Sequence, residues 1–240
     1  MNYNWDWSIL VIEPYLGWLL SGFGWTVMTS LFAWIIAFSL GSALGIMRTT
    51  ENLIFRGIGT AYVELFRNIP LLVQLFLWYF VFPEMLPEET GMWVKREMPM
   101  PAFTTAIVAL GLYTASRVCE QVRSGVEAVG QGQRHAGRAM GFSEPQVYRY
   151  ILLPVAYRII IPPLTSEFLT VFKNSSLAFT IGVLELTAMT RQIEEYTFQG
   201  FEAFAAATII YSTITFTVMA IMRIIERRTH VPGTISLGAR

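Results

Sequence analysis

Thiols, imidazoles and amines are scarce in this chain, with one cysteine (Cys119), two histidines (His135 and His230) and two lysines (Lys95 and Lys173) among 240 residues. A lone cysteine excludes a disulfide framework, and one inside an apolar stretch reads as a small hydrophobe. Two histidines and one cysteine give no metal-ligand spacing, so no metal is expected. No Gly-x-x-x-x-Gly-Lys-Ser/Thr stretch occurs, which removes the P-loop as a way of holding nucleotide. No nucleophile–base set stands out either, so an enzyme is not expected. Charge is thin: 14% of residues are charged, against roughly 25% in soluble domains. The 17 basic and 17 acidic residues cancel, leaving no electrostatic footprint for nucleic acid. No Lys or Arg precedes Arg48, so the start lacks the basic region of a secretory signal.

What fills the space is apolar. Hydrophobic residues make up 54% of the chain and aromatic residues 14%, concentrated in runs too long for a globular core. A membrane-crossing helix needs about 20 mainly apolar residues. Five runs qualify, at 24–47, 62–82, 102–123, 156–177 and 203–225, and a further apolar stretch at 178–190 is too short for a sixth. The expected class is an all-α, multi-pass membrane protein forming one transmembrane domain. Gly41-x-x-x-Gly45 in the first run would allow close helix contact. The tryptophans near run ends (Trp5, Trp7, Trp18, Trp25 and Trp93) read as interfacial anchors in contact with lipid.

Lys and Arg in short loops set orientation. Arg48, Arg56, Arg123, Arg134, Arg138, Arg149, Arg158, Arg223, Arg227, Arg228 and Arg240 fall on one side, whereas only Lys95, Arg96 and Arg191 fall on the other. The N-terminus is therefore expected outside and the C-terminus in the cytoplasm. No internal repeat is visible, so the inverted-repeat signature of many secondary carriers is missing.

Between the third and fourth runs lies a polar island, Gly132 to Pro154, with the sequence GQRHAGRAMGFSEPQVYRYILLP. Residues 133–140 read as a helix with Ala136, Ala139 and Met140 on one face and Arg134 and Arg138 on another. Gly137 weakens that helix by about 1 kcal/mol relative to Ala, so it needs a partner. Gly141 supplies a left-handed stop. Ser143, Pro145 and Gln146 then form the start of a second helix with a capping-box pattern. The residues alone leave two readings open, a surface helix on lipid headgroups or a handle for a soluble protein.

The spacing of this island resembles that of importer permeases of the ATP-binding-cassette class. Their pattern is Glu-Ala-Ala, three residues, Gly, nine residues, then Ile-x-Leu-Pro; here it is His135-Ala136-Gly137, Gly141, then Ile151-Leu152-Leu153-Pro154. His135 and Gly137 depart from the family residues. Tyr62 through Gln74 (YVELFRNIPLLVQ), Gly111 through Ala115 (GLYTA) and Lys173 through Leu177 (KNSSL) are similar to segments of the polar amino acid branch. Ala115 through Arg123 (ASRVCEQVR) is similar to the membrane subunit of glutamate/aspartate importers. The resemblance implies a type I importer permease fold of about five spans. It also implies a coupling segment (Arg134, His135, Ala136, Gly137, Arg138, Ala139, Met140 and Gly141) docked on a cytoplasmic ATPase dimer. Further implied partners are ATP on that ATPase, a second permease subunit distinct from this one, and a periplasmic amino acid-binding protein.

Ionisable groups inside the spans are costly and usually face a bundle interior or a cavity. Tyr113, Arg117, Glu120 and Ser124 lie on one face of the third span. Arg117 could grip a substrate carboxylate, or Arg117, Glu120 and Arg123 could neutralise one another. Lys173 and Asn174 fall in the fourth span and could meet a substrate α-carboxylate or anchor neighbouring helices. Glu64 and Arg67 read as a local pair, and Pro162-Pro163 as a kink. The competing classes are a stand-alone ion-coupled amino acid carrier and a non-transporting membrane sensor.

Overall fold

The computed structural model describes residues 3–229; His230 and Arg240 lie outside the described residues. Among the described residues every regular element is helical. The long elements are α1 (Tyr15–Thr49), the bent pair α2 (Leu53–Asn68) and α3 (Leu71–Met85), the short α4 (Glu88–Met92), and α5 (Pro101–Ala128). Then come α6 (Gln131–Ala139), α7 (Glu144–Ile181), α8 (Leu186–Thr197) and α9 (Gly200–Thr229). Four helices (α1, α5, α7 and α9) are long and apolar enough to cross a membrane, and the α2–α3 pair makes a fifth if counted as one span.

The centre of the bundle is α1 against α5. One face of α1 is mostly small residues, Thr26, Thr29, Ser30, Ala33, Ala37, Gly41 and Gly45, all buried, with Leu19 and Leu44 buried toward its two ends. The opposite face holds Leu20, Met28, Leu31, Phe32 and Ile35, all exposed. Large apolar side chains outside and small ones inside is the pattern of helices that pack by backbone proximity in lipid. At Gly41 an added Cβ would sit 2.7 Å from the Ala115 carbonyl oxygen and from Val118 Cβ; at Gly45 it would sit 2.7 Å from Val122 Cβ. Only glycine permits that approach.

The second run needs correction. The run 62–82 is not one straight helix. It is bent by 102° between Asn68 and Leu71, because Pro70 lacks an amide hydrogen and holds Ile69 extended (φ −102°, ψ 127°). Gln74 Nε2 caps the break by donating to the Phe66 and Ile69 carbonyls at 2.8 and 2.9 Å. The stretch 178–190, expected to be too short for a sixth span, is divided by Gly182 (φ +92°) between the end of α7 and the amphipathic α8. Leu186 at the start of α8 is fully buried, and its amide donates to Thr26 Oγ1 of α1 at 3.1 Å. Pro162 and Pro163, read as a kink, lie inside α7, whose irregular stretches are the π-helical Tyr148–Leu152 and the 3-10 Ser175–Ile181. The first span also starts earlier than residue 24, at Tyr15. The aromatic residues around its start pack on each other, Trp18 edge-on to Tyr15 and Tyr196.

Candidate functional site

The polar island folds as its residues dictate. Helix α6 follows Gly130 (φ +84°) and stops at Gly141 (φ +86°), with the Phe142 amide closing onto the Gly137 carbonyl at 3.2 Å. Ser143 then begins α7, its amide donating to Gln146 Oε1 at 2.8 Å, with Pro145 in the first turn. The partner that Gly137 requires is α7 itself. Gly137 is buried, and a Cβ there would meet Ile151 Cδ1 at 2.5 Å and Val147 Cγ2 at 3.2 Å. The glycine that weakens the helix is what lets it lie flat on the next one.

Ion pairs fix α6 from the other side. Arg134 donates to Glu144 Oε2 at 2.9 Å, and Arg138 bonds Glu144 and also Glu51 (2.7 Å), in the turn after α1. The Arg138 guanidinium holds both carboxyls below the usual carboxylate range, and Arg138 is raised in turn by Glu144 and then Glu51. Glu51 is well exposed, so these pairs orient the helix more than they stabilise it. The Tyr148 hydroxyl, donating to the Thr49 carbonyl at 2.8 Å, ties the same corner to α1. With both arginines turned inward, His135, Ala136, Ala139 and Met140 are left exposed as an unpaired, mostly apolar strip.

Within the bundle the charges pair across helices as well as along α5. Arg117 on α5 donates from Nε to Glu167 Oε2 on α7 at 2.5 Å and from Nη2 to Oε1 at 3.2 Å. The Glu167 side chain is 8% exposed and Arg117 40%, so the carboxylate is inside and the guanidinium edge outside. Arg117 therefore does not join Glu120 and Arg123 in mutual neutralisation, although those two do pair at 3.1 Å. Glu120 is instead shared by arginines of three helices: Arg48 of α1, Arg123 of α5, and Arg67 of α2 at 3.8 Å. Arg67 thus reaches Glu120, and the expected local pair with Glu64 is replaced. Lys173 is exposed and Asn174 half-buried at the last turn before Ser175. Lys173 lines a cavity of 500 Å³ between α7, α8 and α9, with Ser176, Thr187, Thr208, Tyr211 and Ser212.

A bundle of apolar helices with an arginine-clamped lever on one end matches a known family. Residues 37–231 match the family described as binding-protein-dependent transport system inner membrane component. The chain belongs to that family. It is a multi-pass inner-membrane permease component, and its relatives are transporter permeases rather than enzymes. It is 46% identical over 98% of its length to the glutamate/aspartate import permease protein GltJ of Escherichia coli (strain K12), covering 99% of that protein. It is 33% identical over 94% of its length to the nopaline transport system permease protein NocM of Agrobacterium fabrum, covering 95% of it. A crystal structure of an amino acid ABC transporter superposes with a TM-score of 0.77 at 28% identity, covering 95% of this chain and all of that one. The inward-facing MetNI methionine ABC transporter shares the fold, with a TM-score of 0.75 at 20% identity over 92% of this chain.

The fold also supplies counter-charges that the sequence did not pair with the candidate residues. Glu167, Glu144, Glu51 and Arg48 are the counter-charges of the candidate residues, and each lies on a different element from the group it holds, or across a turn from it. Their only sequence signal is that a charge so close to an apolar run needs a partner.

Proposed function

We propose that this permease is the membrane-spanning subunit of an ATP-driven, binding-protein-dependent importer of glutamate and aspartate, working by alternating access. The observation that carries the reading is α6, a helix clamped from behind by Arg134 and Arg138 with His135, Ala136, Ala139 and Met140 presented outward. Residues 1–240 form one permease domain, with the N-terminus outside, the C-terminus in the cytoplasm, and the lever at 132–154 inside. A cytoplasmic ATPase pair of the ATP-binding-cassette class binds the nucleotide and docks on that lever. A second, distinct permease subunit completes the solute path, and a periplasmic binding protein delivers the amino acid. Closure of the ATPase pair moves α6, and because α6 is bonded to both α7 and the end of α1, the spans tilt together. Two sites biasing one two-state element is what coupling requires.

The acidic preference is supported by the similarity to the Escherichia coli glutamate/aspartate permease. It is also supported by Arg117. Glu167 holds that guanidinium through Nε and Nη2, and a guanidinium has five N–H donors, so the exposed edge retains donors for a substrate carboxylate. Lys173, which lines the 500 Å³ cavity, suits the α-carboxylate, with Asn174 next to it in the chain. Glu120, shared by three arginines, is assigned to holding α1, α2 and α5 together. The test is assembly and uptake in intact cells. Cysteines at Ala136 and Met140 should crosslink to the ATPase, and Arg117→Ala should lose glutamate uptake while that crosslink persists. Flux without any crosslink overturns the lever, and normal uptake in Arg117→Ala overturns its substrate role.

A further inference from the structure

A second cavity, of 190 Å³, opens at the arginine-rich end of the bundle, where the ends of α1 and α5 meet the starts of α2 and α6. Arg48, Arg56 and Arg134 line it, together with Thr49, Gly130 and Gln131. Two features of its walls lack partners. Nε of Arg48 and Nε of Arg134 are buried and have no acceptor, and Arg56 is exposed with no carboxylate within 4 Å among the described residues. Buried charged donors left unmet are costly, and native structures rarely keep them without a ligand or water. The third feature is the N-terminus of α6, which has no side-chain cap at Gly130; Gly130 and Gln131 line the cavity, and this end of the helix carries the positive end of its dipole.

The surrounding carboxylates do not cancel this field. Glu127 also lines the cavity, but both its oxygens accept from Arg123 Nη1 at 2.8 Å. Six arginines (Arg48, Arg56, Arg67, Arg123, Arg134 and Arg138) face four glutamates (Glu51, Glu120, Glu127 and Glu144) across the whole corner. Two positive charges remain. We propose that this cavity is a binding site for a phosphate group, held by Arg48, Arg56 and Arg134 and by the first amides of α6. A phosphate offers more acceptor oxygens than a carboxylate to donors from three guanidinium groups. The volume holds about six waters, at about 30 Å³ each, which suits a phosphate group with a few waters.

Two sources carry that chemistry. Leu53, Ile54, Phe55 and Ile58 on the first turns of α2 are exposed beside Arg56, so acyl chains could lie there with a lipid headgroup in the cavity. Inorganic phosphate is the soluble alternative. The full chain, purified in a non-ionic detergent, is titrated separately with short-chain phosphatidylglycerol, short-chain phosphatidylcholine and inorganic phosphate. Native mass spectra and thermal unfolding report the binding. One saturable site is expected for an anionic probe. Saturation by phosphatidylglycerol and not by phosphatidylcholine identifies a lipid headgroup, and saturation by inorganic phosphate identifies a soluble anion. Arg56→Gln should weaken binding about tenfold, as loss of one charge-assisted contact does, and Arg56→Lys should restore most of it. Gln131→Glu separates binding from folding: a carboxylate in the first turn favours the helix but repels the anion. It should therefore leave the unfolding temperature of the free chain unchanged or higher while weakening binding. The proposal is overturned if neither anionic probe saturates, or if Arg56→Gln and Gln131→Glu bind as the unmodified chain does.

Discussion

Arg117 and Glu167 show what a single charge costs at depth. Glu167 is almost wholly buried, and its two oxygens are both taken by Arg117. Removing the guanidinium leaves a carboxylate with no counter-charge. For a fully buried pair that loss is about 3–5 kcal/mol; with Arg117 two-fifths exposed, roughly 1–3 kcal/mol is expected for Arg117→Ala. Removing both charges is different, because nothing is left stranded. Arg117→Met combined with Glu167→Leu should return to within about 1 kcal/mol of the unmodified chain, and yet fail to transport. Denaturant unfolding in micelles measures the stability and uptake measures the function. If the single and double variants are equally unstable, Glu167 is not relying on Arg117 as its counter-charge.

Among the elements, α6 is the one whose stability should respond to pH and salt. Glu51 and Glu144 have pKa values lowered from their ordinary 4.5 by Arg138, so their contribution is complete above the ordinary value and is lost as pH falls through the lowered one. Amide protection in 131–139, corrected for the intrinsic pH dependence of exchange, should therefore be high at neutral pH and fall in acid, while α5, held by Gly41 and Gly45 against α1, stays protected. Raising the ionic strength should produce the same selective loosening, since exposed pairs are screened over a length of about 8 Å at physiological salt. Exchange in α6 that ignores both pH and salt would mean the apolar seat of Gly137 on Val147 and Ile151 holds it alone. This element was legible in the sequence down to its caps, because Gly141, Ser143, Pro145 and Gln146 act over three or four residues. Its clamp was not, since Glu51 and Arg138 are 87 positions apart and meet only after α1 and α7 have packed. The same distinction explains the other differences. The bend at Pro70 has a local signal that hydrophobic length overrode in the reading of 62–82. The stretch 178–190 is too short for a span by length alone, but that α8 starts buried against α1 needed the packed bundle to show it.

For the whole molecule the deciding quantity is which end faces the cytoplasm, since a lever for an ATPase on the outer surface could not be driven. The arginines that line the phosphate cavity and clamp α6 lie at the same end as Arg227 and Arg228 in the last turn of α9, whereas Lys95 and Arg96 lie beyond α4, at the loop before α5. Positive residues stay on the cytoplasmic side during insertion, so the arginine-rich end should be inside. Cys119 is buried, which makes the chain a clean background for introduced thiols. With a membrane-impermeant maleimide on intact cells, Glu89→Cys and Arg96→Cys should label, and Gln133→Cys and Arg227→Cys should label only after permeabilisation. All four side chains are exposed, so failure to react reports the membrane barrier and not burial. The opposite pattern would place α6 outside and remove the basis for ATP-driven import, while leaving the helix packing and the phosphate cavity as they are.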